Sequence, residues 1–138
     1  MKRLRVLPWD SRFFGLRIGQ LEAVRLTSSV AQDAIAWSQK NEIRCLYYLA
    51  EKQDAATRRT AALNQFKPQC LRLTYERRTE RRAIAPAVPI RPARPADFAA
   101  LRATLPAAAA GSRFRKDRHF PKNSGSKLYT LWLQRSIQ

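Results

Sequence analysis

The spacing of apolar positions divides the chain into short segments of changing period. Leu4 to Leu7 and Leu16 to Val24 read as two strands. Ser29-Val30-Ala31-Gln32 has the form of a capping box, after which Val30, Ala31, Ala34, Ile35 and Trp37 or Ser38 share one side of a helix. Ile43 to Leu49 is apolar on both faces except at Arg44, the pattern of a central strand. Asp54 stands where an N-cap opens a second helix through Leu63, and Pro68 closes the region because its ring disfavours helix one residue earlier. Leu71-Arg72-Leu73-Thr74-Tyr75-Glu76 alternates, which predicts a strand with one wet face. The expected order over residues 1–78 is β-β-α-β-α-β, a small α/β unit on a mixed sheet.

Residues 79–89 are charged and then punctuated by proline, as in a linker. Beyond it, Val88 to Arg91 can form one strand. Pro95-Ala96-Asp97 starts a helix with Phe98, Leu101 and Leu105 on one face, and Pro106 is expected to stop it. A basic loop, Gly111 to Lys127, leads to a last helix from about Ser126, with Leu128, Leu131, Trp132 and Leu133 turned inward. The fold class is thus α/β (α+β), with residues 90–138 forming a β-α-α segment. One strand and two helices do not close a sheet-based core by themselves. Either this half leans on the first, or further structure is supplied from elsewhere.

Charge changes the picture more than any other bulk property. Lys and Arg number 27 against 10 Asp and Glu, a net +17, which draws a protein toward polyanions such as nucleic acid or phosphorylated ligands. The excess is spread out: residues 1–66 carry +5, 67–94 carry +6, 95–110 balance and 111–138 carry +6. No single basic arm exists, so a solvated charged surface is the plainer account of each run, with weak non-specific nucleic-acid binding as the alternative. No apolar run approaches the ~20 residues of a membrane span, and the N-terminus breaks at Pro8 and Asp10 without a signal-type apolar stretch. Cys45 and Cys70 cannot build a disulfide framework, and a single histidine, His119, leaves too few ligands for a zinc site. A soluble cytoplasmic protein without a metal is the expectation.

Two stretches carry a resemblance. The first is Leu7-Pro8-Trp9-Asp10-Ser11-Arg12-Phe13-Phe14-Gly15. The second is Ala100-Leu101-Arg102, Ser112-Arg113-Phe114, Phe120-Pro121, Leu128-Tyr129 and Trp132, in that order. Together they resemble the dTDP-fucosamine acetyltransferase (dTDP-4-amino-4,6-dideoxygalactose N-acetyltransferase) type of GNAT N-acyltransferase. In that type a small N-terminal domain precedes a GNAT core. The resemblance implies transfer of an acetyl group from acetyl-CoA to the amine of a nucleotide-linked amino sugar. It covers the N-terminal domain (1–78), the linker (79–89) and the first strand and two helices of the core (90–138). The family's later strands, cofactor loop and C-terminal tyrosine acid have no counterpart. GNAT enzymes hold acetyl-CoA on [RQ]-x-x-G-x-[GA] at a helix N-terminus. The glycines here are Gly15, Gly19, Gly111 and Gly125, so no G-x-G is present. The expectation is a truncated acyltransferase that does not hold acetyl-CoA alone, associating with itself or with a chain that supplies the missing core.

The resemblance maps the acceptor pocket onto Arg113, Phe114, Asp117, His119, Phe120, Tyr129 and Trp132; of these Arg113, Phe114, Phe120, Tyr129 and Trp132 are the candidate substrate-binding residues. Arg113 could clamp a phosphate through its planar guanidinium, or bond a helix C-terminus. Phe114 and Phe120 could stack on a base or sugar, or pack locally. Asp117 could orient an amine, or balance Arg115, Lys116 and Arg118. Imidazole exchanges protons near neutrality, yet His119 lies outside the family motif. Tyr129 and Trp132 sit one turn apart and suit a core as well as a site. Trp9, Phe13 and Phe14 read as the anchor of the N-terminal unit, with Gly15 permitting a turn. Cys45 reads as a buried thiol. An inactive or partnered binding module and a basic nucleic-acid-binding protein remain as alternatives.

Overall fold

The computed structural model describes residues 2–76, 78 and 88–137. The chain is of mixed α/β class and divides into two compact units, Met1–Pro68 and Gln69–Gln138. Of the expected linker, residues 79–87 lie outside the described residues.

The first unit runs β1 (Lys2–Val6), α1 (Pro8–Phe14), β2 (Ile18–Ala23), α2 (Ser28–Lys40), β3 (Cys45–Tyr48) and α3 (Ala55–Leu63). Its sheet has the order β1-β2-β3, with β1 antiparallel and β3 parallel to β2. The register places Leu4 opposite Leu21, and Ile18 opposite Cys45. A parallel neighbour needs a long crossover, which α2 provides. β2 is therefore the central strand, and β3 lies at an edge with its side chains only half-buried, contrary to the sequence expectation. All four residues of β3 are half-buried, so the apolar run that suggested a buried centre lies at the edge of the sheet.

The tryptophan-phenylalanine stretch forms α1, a helix where the sequence suggested only an anchor and turn. Pro8 supplies the fixed φ of a first helical turn, and Gly15 ends the helix at φ 64°, in the left-handed region that other residues enter at a cost. The Ser11 hydroxyl donates to the Leu7 carbonyl at 2.7 Å and accepts from the Ile18 N–H at 2.9 Å, joining α1 to β2. Trp9 stacks on Phe13 with centroids 5.2 Å apart, and Phe13 meets the buried Phe14 edge-on at 4.9 Å. The α2 cap is Thr27, whose hydroxyl accepts from Val30 N–H, in place of the Ser29 capping box. Asp54 caps α3 as expected.

The core of this unit is Leu21, Leu26, Ala31 and Ala34, surrounded by Leu4, Val30, Leu46, Tyr48, Ala61 and Phe66. Small α2 residues let that helix approach the sheet closely. At Gly19 the approach leaves no side-chain volume: a Cβ there would stand 2.9 Å from Trp37 Cζ3 and 3.3 Å from Ile43 Cγ2. A polar joint holds the other side. Thr57, fully buried, accepts the Leu26 N–H at 3.1 Å and donates to Asp54 Oδ2 at 2.8 Å, while its own N–H donates to Asp54 Oδ1 at 3.0 Å. These bonds from Thr57 hold the Asp54 carboxyl below the usual carboxylate range, with Arg25 adding to the effect at 3.6 Å. Burial pushes the Tyr48 phenol up, and Thr57 beside it offsets part of that rise.

The second unit contains a 3₁₀ turn (Pro95–Asp97) continuing into α4 (Phe98–Ala108), then α5 (Arg113–Lys116) and α6 (Ser124–Ile137). Arg91 binds Asp97 through two hydrogen bonds of 2.7 and 2.8 Å, and Arg94 N–H donates to the same carboxylate. Arg91 holds the Asp97 carboxyl far below its usual range. Pro106 does not stop α4. In the last turn its missing N–H removes a single bond, and Ala109 N–H still reaches Leu105 O at 2.8 Å. The expected strands at 71–76 and 88–91 are not formed: these residues join no ladder, and Leu71, Leu73, Tyr75, Val88 and Ile90 are exposed. Alternation supplies one apolar face, but a strand also needs a neighbouring ladder for its N–H and C=O groups. Leu128 is fully buried, whereas Trp132, expected inward, is 45% exposed. Cys45 is half-buried, not fully buried, and Cys70 is exposed. Among the described residues no helix is long and apolar enough to cross a membrane.

Two substitutions test this packing. Gly19→Ala should destabilise the first unit by about 1–3 kcal/mol, since Trp37 must shift to admit the methyl group. Thr57→Val should cost about 1–3 kcal/mol by leaving the Leu26 N–H buried without an acceptor, with Thr57→Ser retaining most of the stability. Urea unfolding followed by tryptophan fluorescence checks both.

Candidate functional site

Most of the residues singled out from the sequence fall on α5, the turn after it and α6. The Ser112 hydroxyl caps α5 by accepting the Phe114 N–H at 3.2 Å. This places the Arg113 guanidinium over the Phe114 ring, 4.7 Å from its centroid, a cation–π arrangement. Phe114 in turn meets the buried Phe120 edge-on at 5.4 Å and 80°. Arg113, Phe114 and Phe120 are thus brought into one cluster.

The turn between α5 and α6 is closely bonded. Asp117 N–H donates to Arg113 O at 2.9 Å, and Phe120 N–H donates to Asp117 O at 3.2 Å. Asp117 Oδ1 accepts the His119 N–H at 3.0 Å and also lies 2.8 Å from His119 Nδ1. The Asp117 carboxyl sits below its usual range: partial burial works against this, but the two contacts from His119 and the charge of Arg118 outweigh it. Asn123 takes the left-handed conformation at φ 64° and begins α6, its carbonyl accepting Lys127 N–H.

The first turn of α6 lies directly against α5. A Cβ on Gly125 would stand 3.1 Å from Arg115 Cγ and 3.2 Å from Phe114 O. The neighbouring Ser124 is buried, and its hydroxyl has no hydrogen-bond partner among the described residues. Arg115 also donates to Pro106 O at 3.1 Å, tying α5 to the carbonyl end of α4. Gly125, Tyr129 and Trp132 follow at i, i+4 and i+7 on one face of α6. The Tyr129 and Trp132 rings meet at 5.4 Å and 65°, with Tyr129 about 6 Å along the axis from Gly125. The five candidate residues comprise two aromatic pairs, Phe114–Phe120 and Tyr129–Trp132, and the Arg113 guanidinium over Phe114.

The cluster is cationic. Arg113, Arg115, Lys116, Arg118, Lys122 and Lys127 surround the single carboxylate of Asp117 in sequence. Its chemistry suits an anionic ligand with a flat ring. Among the described residues no group of His, Cys, Asp and Glu is arranged to hold a metal ion. A concavity of about 310 Å³ belongs to the first unit, where Arg3, Glu22, Ala23 and Val24 line it; none of them carries site chemistry expected from the sequence. The sequence did not reveal the Asp117–His119 contact. Its signal is the D-x-H spacing, which an Asx-type turn converts into a side-chain pair.

Comparison with known family models, curated proteins and solved structures returns no match to this chain. The geometry of the corner is tested through its closest contact. Gly125→Ala should displace α5, moving the backbone amide resonances of residues 112–117 and costing about 1–3 kcal/mol in thermal or urea unfolding.

Proposed function

We propose that the chain carries the amine-acceptor side of a GNAT-type N-acyltransferase. Its substrate is the amine of a nucleotide-linked amino sugar, with acetyl-CoA as acyl donor. The observation that carries this reading is the convergence of Arg113, Phe114 and Phe120, the motif residues of the resemblance, at the α5–α6 corner. A nucleotide sugar presents a diphosphate, a flat base and an amine. The guanidinium suits the diphosphate, and the aromatic edges of Phe114, Phe120, Tyr129 and Trp132 suit the base or sugar.

Acyl transfer requires the acceptor nitrogen to be unprotonated when it meets the thioester carbonyl. This chain's contribution is to bind and orient the acceptor, excluding water from its apolar face by the aromatic pairs. Acetyl-CoA supplies the acyl group, and the chain has no G-x-G sequence to cradle its pyrophosphate. In this reading the donor is held by residues of a partner or of further structure, and the chain alone meets acetyl-CoA only through its charge.

Isothermal titration separates these properties. A dTDP-linked 4-amino-4,6-dideoxyhexose should bind the full chain at about 0.2 M salt, and Arg113→Lys should weaken it by about tenfold through loss of the planar fork. Acetyl-CoA should bind weakly and lose its heat signal as salt rises to about 0.2 M. Tight acetyl-CoA binding with no binding of the amino sugar would overturn the assignment.

A further inference from the structure

The contact between Asp117 and His119 has a direction. An ionised carboxylate only accepts hydrogen bonds, so the 2.8 Å approach of Oδ1 places the ring proton on Nδ1. Nε2 then carries the lone pair. The Asp117 side chain is only 12% exposed, whereas that of His119 is 70% exposed, so the orienting carboxylate is sheltered and the ring it orients reaches solvent. The pair is not a chance meeting of two mobile side chains. Both backbone groups of Asp117 are bonded, one to Arg113 and one to Phe120, and the His119 N–H is bonded to the same carboxylate oxygen.

The charges on the flanking elements bear on what such a pair can do. Arg113, Arg115 and Lys116 belong to α5, Arg118 lies between the pair, Lys122 precedes α6 and Lys127 lies in its first turn. All are cations, and Asp117 is the one carboxylate in the segment 111–137. A cationic setting attracts a diphosphate but disfavours a second positive charge on the amine attached to it. An ammonium carried in by its phosphates therefore enters surroundings that favour proton loss, beside an imidazole with a free lone pair.

We infer that His119 takes the proton from the acceptor amine, with Asp117 as its positioning residue. This rests on the acceptor reading above. The N–H bond of the ammonium breaks, its electron pair stays on nitrogen as the nucleophile, and a new N–H bond forms at His119 Nε2. The imidazolium charge is met by the Asp117 carboxylate, and the proton then passes to water.

His119 is the only histidine in the chain, so its ring resonances identify themselves in the full-length protein. Two probes are compared: the dTDP-linked 4-amino-4,6-dideoxyhexose and its N-acetylated counterpart, which has no basic nitrogen. Long-range ¹⁵N spectra should show the Nδ1–H tautomer, and the amino sugar alone should shift Nε2. Amino-sugar affinity should fall on acidification with the same midpoint as the His119 Cε1–H titration, while the N-acetyl compound binds independently of it. His119→Gln should weaken the amino sugar by about tenfold, and the N-acetyl compound by much less. Asp117→Asn should move the ring toward the Nε2–H tautomer and weaken the amino sugar similarly. Equal binding of both sugars with Nε2 unmoved would overturn the role of His119 and leave the acceptor reading standing. Binding of neither sugar would overturn both.

Discussion

Each of the two units closes at a position where a side chain has no room. In the first, the six-membered ring of Trp37 occupies the space a Cβ of residue 19 would need, and in the second the Arg115 side chain and the Phe114 backbone crowd the Cβ position of residue 125. Neither glycine is required by its own dihedral angles, since neither has a positive φ. Both are required by what lies on top of them. The approach at Gly19 lets α2 lie close to the central strand, and Ala31 and Ala34 extend it. The approach at Gly125 sets the first turn of α6 against α5 at Phe114 and Arg115.

The parts of the fold legible in the sequence were those whose signals are local. Asp54 announces α3 because its carboxylate bonds a donor three residues on, a relation written within one turn. α2 follows from its apolar period. The parts that were not legible depend on partners distant in the chain. Residues 71–76 alternate as well as any strand, yet strand formation depends on a ladder that alternation does not specify. The same limit explains β3, whose apolar run does not say whether it has one strand neighbour or two. α1 was missed for another reason: its seven residues are too few to display a helical period, and only Pro8 and Gly15 mark its ends.

For the candidate site, residue types were legible and pairings were not. Arg113, Phe114 and Phe120 stand in a motif, but their ring geometry follows from the cap at Ser112 and the turn after Lys116. Taken singly, Asp117 suits orienting an amine or balancing charge, and His119 suits proton exchange. Only the folded turn shows that one acts on the other, because the backbone N–H of His119 first fixes the carboxylate that its ring then meets.

The exposed Leu71, Leu73, Tyr75, Val88 and Ile90 bear on colloidal behaviour. Apolar side chains left in water attract one another between molecules as readily as within one. A net charge of +17 opposes that attraction at a distance, but only over the screening length, about 8 Å at physiological ionic strength and about 3 Å at molar salt. Charge and exposed apolar surface are therefore coupled: the same arginines that suit an anionic ligand also keep copies of the chain apart, and dissolved salt relaxes both effects together.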